Sequence, residues 1–287
     1  MTENKREIKT EIVNKLLAEQ GVSEWHVESR FISKRNSVYL LAAGADITAE
    51  SIAADVELEQ EIDALSGMGL FDTPHHECVS CGECEHQGSK RRAKYVWKQY
   101  ETGDPAYEAE MLRSLRAGGV NVPELIAEQV EGLLIEHISG ESLCEMLQRL
   151  EEEDEDGVFA ADLLAEWLKG YYAAAGGKCR GDINLRNFIC EEGTGQLFSV
   201  DFEDVGFCSR EYDVAAVLAY VLNYESVFTP WKQRWARAGA AVFVARLNIE
   251  VQLLQDEYAK ALDDLCLRRS VKVPAEMRAF LQSLFEA

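Results

Sequence analysis

Arg180-Gly181-Asp182-Ile183-Asn184-Leu185-Arg186-Asn187, followed by Val200-Asp201-Phe202, sets out three oxygen-bearing side chains in a pattern that phosphoryl transfer requires. An aspartate in a loop can orient an acceptor hydroxyl and take its proton. An asparagine and a second aspartate can hold a hard divalent cation such as Mg²⁺, and through it the phosphates of a nucleotide. Asp182 and Asn187 alone would be a weak pattern. What strengthens it is the chain between Asn187 and Asp201: Phe188-Ile189-Cys190 and Leu197-Phe198-Ser199-Val200 are short apolar runs joined by Glu191-Glu192-Gly193-Thr194-Gly195, a hairpin signature. In an antiparallel pair the start of the first strand lies beside the end of the second. Asn187 and Asp201 then emerge at one end, next to the loop that carries Asp182. A polar turn followed by an Asp-capped strand end is the plainer reading of the same residues.

The supporting parts occur upstream. Arg91 to Tyr100 reads as a strand that places Val96 and Lys98 on one face. Asp104-Pro105 opens a helix, with Asp as N-cap and Pro in the first turn, and Gly118-Gly119 closes it. Glu108 falls on that helix's apolar stripe with Met111, Leu112 and Leu115, whereas Glu110 faces elsewhere. An acid on a buried face needs a partner, so Glu108 is the functional acid and Lys98 its natural cation. A partly exposed Glu108 paired with Arg113 is the alternative. Pro123 to Ile138 reads as two strands turning at Glu131-Gly132. Ser139 to Ser142 breaks the chain, with Ser142 as a helix cap, and the pattern changes from strands to helices at about residue 139. The segment 158–175 is an apolar helix containing Trp167, Tyr171 and Tyr172, ended by Gly176-Gly177.

Residues 2–20 carry Ile8, Ile12, Leu16 and Leu17 at helical spacing, and Arg30 to Leu41 alternates as a strand pair turning at Lys34-Arg35-Asn36. That turn is either a phosphate-covering loop, offering Ser33, Lys34, Asn36 and Ser37 in place of glycines, or a surface hairpin. Residues 47–65 are acidic with a helical stripe. The six consecutive acids Glu151 to Asp156 read as a solvated loop, or as a negative wall near an acceptor pocket.

At 287 residues the chain has room for one large domain or two lobes around a cleft, and 47% hydrophobic content supplies a core. A net charge of −22 argues against a nucleic-acid partner and fits a cationic or amino-bearing substrate, although solubility alone accounts for it. No apolar run reaches the about 18 residues of a membrane span, and the charged start MTENKREIKTEI is unlike a secretory signal. Cytoplasmic location with reduced thiols follows as the expectation for the eight cysteines. Those at 144, 179, 190, 208 and 266 read as buried small hydrophobes. Cys78-x2-Cys81-x2-Cys84 differs. It has metal-ligand spacing, and with His75, His76 or His86 it could complete a structural Zn²⁺ site, with His86 the candidate chosen. An iron–sulfur cluster lacking its fourth cysteine and a set of free thiols are the other readings.

GLLIEHISGESL, RGDINLRNF, LFSVDFEDVG and EYDVAAVLAY, together with NSVYLL and YVWKQY further upstream, resemble the aminoglycoside phosphotransferase and choline kinase-like branch of the protein kinase-like superfamily. The matches cover about half the chain, in family order. The resemblance implies an α+β fold of two lobes: a small antiparallel-sheet lobe, 1–138, with an inserted segment 43–90 carrying the Cys/His cluster, and a helical lobe, 139–287, with the catalytic loop. It implies ATP and Mg²⁺ as cofactors, Asp182 as the catalytic residue and Asn187 and Asp201 as Mg²⁺ ligands. It also implies Lys98, Glu108, Asn36 and Ser37 at the nucleotide, Glu136 carbonyl and Ile138 amide at the adenine, and Asp213 as a brace for the catalytic loop. The sequence departs from that pattern in four places. Arg180 stands where the branch has histidine, the phosphate loop has no glycine, Glu203 replaces the glycine of Asp-Phe-Gly, and segment 43–90 separates strands that are normally close. The implied activity is phosphate transfer to a small-molecule hydroxyl. An atypical protein kinase, against which Asn184 counts, and a nucleotide-binding pseudokinase or zinc-stabilised interaction module are the alternatives.

Overall fold

The structure is a computed structural model and describes residues 8–32, 36–44, 94–202, 208–269 and 273–285. The expected acidic helix at 47–65, the Cys78, Cys81, Cys84 and His86 cluster and Glu203 lie outside the described residues. By the compactness of its backbone contacts the chain forms two units: Met1–Thr102 with Glu131–Ile135, and Gly103–Val130 with Glu136–Ala287.

The first unit contains helix α1 (Thr10–Glu19) and strands β1 (Trp25–Ile32), β2 (Asn36–Ala43), β3 (Lys94–Tyr100) and β5 (Gly132–Glu136). These strands lie in the order β1-β2-β3-β5, and β4 (Leu125–Gln129) belongs to the second unit. The buried stripe of α1 is Val13, Leu16 and Leu17, one position round from the expected set, with Ile12 only half-buried. Its start is tied to β3 by the Lys9 N–H, which donates to Gln99 Oε1 at 3.2 Å. β1 starts five residues before the expected Arg30 and pairs with β2 through an irregularity between Val27 and Ser29. Trp97, fully buried, is the largest core side chain of β3. Gly132 leaves room for it: a Cβ there would meet the Trp97 ring and the Lys98 carbonyl.

In the second unit, helix α2 (Pro105–Ala117) begins as its sequence dictates, with the Asp104 carboxylate accepting from the Ala106 N–H at 2.9 Å. Helix α3 (Leu143–Glu152) begins with a capping box in which Ser142 and Glu145 satisfy each other's backbone amides. The break expected at 139–142 also holds a three-residue strand, β6 (Gly140–Ser142), which pairs with β7 (Phe188–Glu191). β7 in turn pairs with β8 (Leu197–Ser199) in the expected hairpin, with Phe188 opposite Ser199. Helices α4 (Val158–Ala174), α5 (Arg210–Asn223), α6 (Pro230–Leu247), α7 (Val251–Arg269) and α8 (Ala275–Gln282) supply the rest. Every residue of α5 from Tyr212 to Asn223 is buried, as an all-round apolar sequence such as VAAVLAYVL requires. It packs against α6 and α7, and α4 packs against α6. An antiparallel sheet first and helices after it make this an α+β fold.

Candidate active site

The site in the second unit is built around one short piece of backbone, Val200-Asp201-Phe202. The Val200 N–H donates to the Asn187 carbonyl at 2.9 Å, continuing the hairpin ladder one step past β8. The Val200 and Asp201 carbonyls both accept from Arg180 Nη2, at 3.1 Å for Val200. The Phe202 N–H donates to Glu108 Oε1 at 3.1 Å. Three residues from three elements therefore clamp the backbone on both sides of Asp201. The clamp holds Asp201 at φ 65°, a left-handed conformation that a non-glycine residue adopts at a cost on the order of 1–3 kcal/mol. Such a conformation aims a side chain where an ordinary strand end would not. Asn187, Asp201 and Asp182 are all half-buried.

The loop bearing Asp182 is anchored independently. Asp213, fully buried near the start of α5, accepts the Arg180 N–H at 2.7 Å and the Gly181 N–H at 2.9 Å. Gly181 sits at φ 75°, which lets two successive amides point at one carboxylate. Tyr172 donates its hydroxyl to Asp213 Oδ2 at 3.0 Å, and its neighbour Tyr171 donates to the Cys179 carbonyl at 3.1 Å. The brace role that the resemblance implies for Asp213 thus has a concrete set of bonds. On the far side of the loop, the Tyr224 hydroxyl accepts from the Leu185 N–H at 3.3 Å and donates to Asn184 Oδ1 at 3.2 Å. Asn184 also caps the short 3₁₀ turn Leu185–Asn187 by accepting from the Arg186 N–H. Below the loop, the Trp167 ring lies 5.2 Å from Phe188 and 6.5 Å from Phe202 by centroid, so α4 supports both the hairpin and the clamped backbone.

Burial is what perturbs Asp213: desolvation raises its pKa to about 6, and the Arg180 and Gly181 amides, the Tyr172 hydroxyl and the Arg180 guanidinium pull only part of the way back. An acid whose folded pKa lies above its unfolded value of 3.8 contributes stability that is fully present below that value. That contribution is lost as pH rises through about 6. Between about pH 5 and pH 7.5 the loss attributable to Asp213 is ~1.4 kcal/mol. The stability difference between the wild type and Asp213→Asn, measured by urea unfolding at both pH values, is expected to shift by that amount in favour of the variant at the higher pH. A pH-independent difference would contradict the assignment.

Glu108, 1% exposed, is buried as expected from its place on the α2 stripe, and Glu110 is exposed. Its partner at Phe202 lies 94 residues away and has no signature in sequence. Lys98 belongs to the first unit, where it is 6% exposed and lies opposite Val38 in the ladder, with its ammonium 5.4 Å from the Tyr100 ring. Asn36 and Ser37 open β2 instead of forming the turn. Both are buried, paired in the ladder with Tyr100 and Gln99, and Ser37 donates to Glu101 at 3.3 Å. Glu136 ends β5 with its amide on the Glu124 carbonyl at 2.9 Å, and Ile138 is buried two residues on.

Within the acidic block, Glu151 is the last-turn residue of α3 and pairs with the buried Lys232 at 3.1 Å. Lys232 also donates to the Tyr224 and Ser226 carbonyls, which links it to the residue that holds the Asp182 loop. Residues 152–156 are exposed. Asp154 to Val158 line a cleft of about 340 Å³ with Trp231, Arg234, Trp235 and Ala238, and Asp182 is not among its walls.

The cysteines need one correction. Cys179 and Cys208, expected as separate small hydrophobes with reduced thiols, are joined in a disulfide, while Cys144, Cys190 and Cys266 are free. Among the described residues the one group with metal-ligand proximity is Cys179, Cys208 and Asp213, whose ligand atoms lie within 4.8 Å of one another. No helix among the described residues is long and apolar enough to cross a membrane.

No family model and no curated protein matches the chain. Among solved structures, an ethanolamine kinase from Plasmodium vivax aligns with 99% of this chain and 90% of its own, at 9% sequence identity and a TM-score of 0.45.

Proposed function

We propose that this protein is an ATP-dependent phosphotransferase that moves a γ-phosphoryl group to a hydroxyl of a small molecule. The observation that carries the reading is the clamped Val200-Asp201-Phe202 backbone, which presents Asp201 at φ 65° one ladder step from Asn187. A strand end serving only as a turn has no need of a buried arginine and a buried glutamate to hold it in an unfavourable conformation. The donor set suits Mg²⁺: a carboxylate and an amide oxygen, both hard and both on half-buried residues, to which a nucleotide would add its own phosphate oxygens. Bound nucleotide and magnesium would supply the electrophilic phosphoryl group. Asp182, on the loop anchored to Asp213, would orient the acceptor hydroxyl and accept its proton. Lys98, Asn36 and Ser37 are proposed nucleotide contacts, with the Glu136 carbonyl and Ile138 amide at the adenine. The lobes are taken as 1–138 and 139–287. The charge of −22 favours an acceptor bearing an amine.

ATP with Mg²⁺ is expected to raise the thermal midpoint. At nucleotide about a hundredfold above its Kd the stabilisation is about 2.7 kcal/mol, and Asp201→Ala should abolish it. An unchanged midpoint at millimolar nucleotide, in wild-type protein, sinks the reading. Phosphate transfer to a panel of aminoglycosides, choline-like amines, sugars and proteins then distinguishes a small-molecule acceptor from a protein.

A further inference from the structure

The disulfide between Cys179 and Cys208 closes a separation of 29 residues with a Cα–Cα distance of 5.5 Å. Its position is more informative than its length. Cys179 directly precedes Arg180, the first residue of the loop held by Asp213. Cys208 directly precedes Ser209, the N-cap of α5, whose hydroxyl accepts the Tyr212 N–H beside Asp213. The covalent link and the carboxylate brace therefore run in parallel, each tying the start of the catalytic loop to the start of α5. Cys179 is fully buried and its carbonyl is held by Tyr171, whereas Cys208 is half-buried. The half-buried Cys208, rather than the fully buried Cys179, is thus the side from which a thiol reagent would approach. A metal is a poorer occupant of the same place, because both Asp213 oxygens are already engaged by Arg180, Gly181 and Tyr172.

We propose that Cys179–Cys208 is a reversible redox clasp on the catalytic loop: oxidised, it doubles the Asp213 brace; reduced, it leaves the loop held by hydrogen bonds alone. Release is thiol–disulfide exchange. The thiolate of a small dithiol attacks Cys208 Sγ, the bond between the sulfurs breaks, and Cys179 leaves as a thiolate that takes a proton. The second thiol of the reagent then displaces Cys208 from the mixed disulfide, giving two protein thiols and a cyclic reagent disulfide. Oxidation by a small-molecule disulfide runs the same exchange in reverse, with two thiols of that reagent as products. The effect on turnover rests on the phosphotransferase reading; the effect on the loop does not.

Full-length protein would be incubated with oxidised glutathione or with dithiothreitol. It would then be mapped by non-reducing peptide mass analysis and followed by amide hydrogen exchange. A Cys179–Cys208 linked peptide is expected in the first sample and its two free-thiol halves in the second. Exchange at the amides of Arg180, Gly181 and Leu185 should rise at least about tenfold on reduction and fall again on reoxidation. Cys208→Ser should exchange like reduced wild type and ignore dithiothreitol, and its half-exposed position makes it a safe substitution for folding. Absence of the linked peptide under oxidant, or equal exchange in the two states, overturns the clasp. A normal redox response without any ATP–Mg²⁺ thermal shift overturns the phosphotransferase reading and leaves the clasp standing.

Discussion

Asp182→Asn is expected to lower kcat by about 10²–10⁴-fold while the ATP–Mg²⁺ thermal shift and the unfolding midpoint stay close to wild type. The separation of effects follows from how the loop is built. Its position is set through backbone groups: the Arg180 and Gly181 amides on Asp213, and the Leu185 amide on Tyr224. The Asp182 amide closes the turn on the Arg180 carbonyl at 3.0 Å, and that bond is indifferent to an isosteric change of side chain. Asp182 is half-buried. Converting it to an amide removes the group that can accept a proton and retains its shape. Steady-state turnover with an acceptor identified in the panel, alongside calorimetry of nucleotide binding, checks both halves of the statement. Full turnover in the variant would remove Asp182 from catalysis. Loss of nucleotide binding together with turnover would instead make it part of the metal or nucleotide site.

What could be read in the chain before its structure was the set of local features with strong backbone consequences. The Gly193-Thr194-Gly195 turn between two apolar runs specifies a hairpin, and a hairpin places Asn187 opposite the end of β8 whatever surrounds it. Glu108 on an apolar stripe announces a buried acid in need of a donor. The Asp104-Pro105 start and the Ser142 cap fix two helix starts. The rest depended on contacts between residues distant in sequence. That the Phe202 amide donates to Glu108, and that Tyr224 reaches Asn184, are tertiary facts without any local period to reveal them. β6 is three residues long and borrows its hydrogen bonds from β7, so its own residues read as a break. Cys179 and Cys208 each look like one more small apolar residue until the start of α5 returns to the loop. Asn36 and Ser37 illustrate the opposite error. Polar residues beside a turn suggest the turn, yet pairing with Tyr100 and Gln99 draws both into the strand.

Arg180→Met should destabilise the protein by about 3–5 kcal/mol, roughly 6–20 °C in the midpoint, and weaken the ATP–Mg²⁺ shift as well. Arg180 is fully buried, with its guanidinium 4.5 Å from the centroid of the Phe202 ring and its Nη2 shared between the Val200 and Asp201 carbonyls. It is also the cation near the buried Asp213 carboxylate. Methionine fills a similar volume and keeps the contact with the ring. It leaves two carbonyls without their donor, at about 1–3 kcal/mol each, and an anion without its nearest positive charge. The second effect separates this substitution from ordinary core damage. Without the guanidinium, the arginine bonds to the carbonyl side of the Asp201 clamp are gone, while those of Asn187 and Glu108 remain. Asp201 then relaxes toward an extended conformation and the proposed metal ligands separate. A cavity-forming variant in α6, Phe243→Ala, serves as the comparison, because Phe243 is fully buried and is none of the residues that form the clamp. At temperatures where both variants are folded, Arg180→Met should bind ATP–Mg²⁺ at least about tenfold more weakly than Phe243→Ala, a difference of about 1.4 kcal/mol. Equal nucleotide affinity in the two would show that the arginine stabilises the loop without setting Asp201. A histidine at this position, the residue that the resembling branch carries, offers a single short-range donor in place of Nη2. Arg180→His should therefore fall between wild type and Arg180→Met in both measurements.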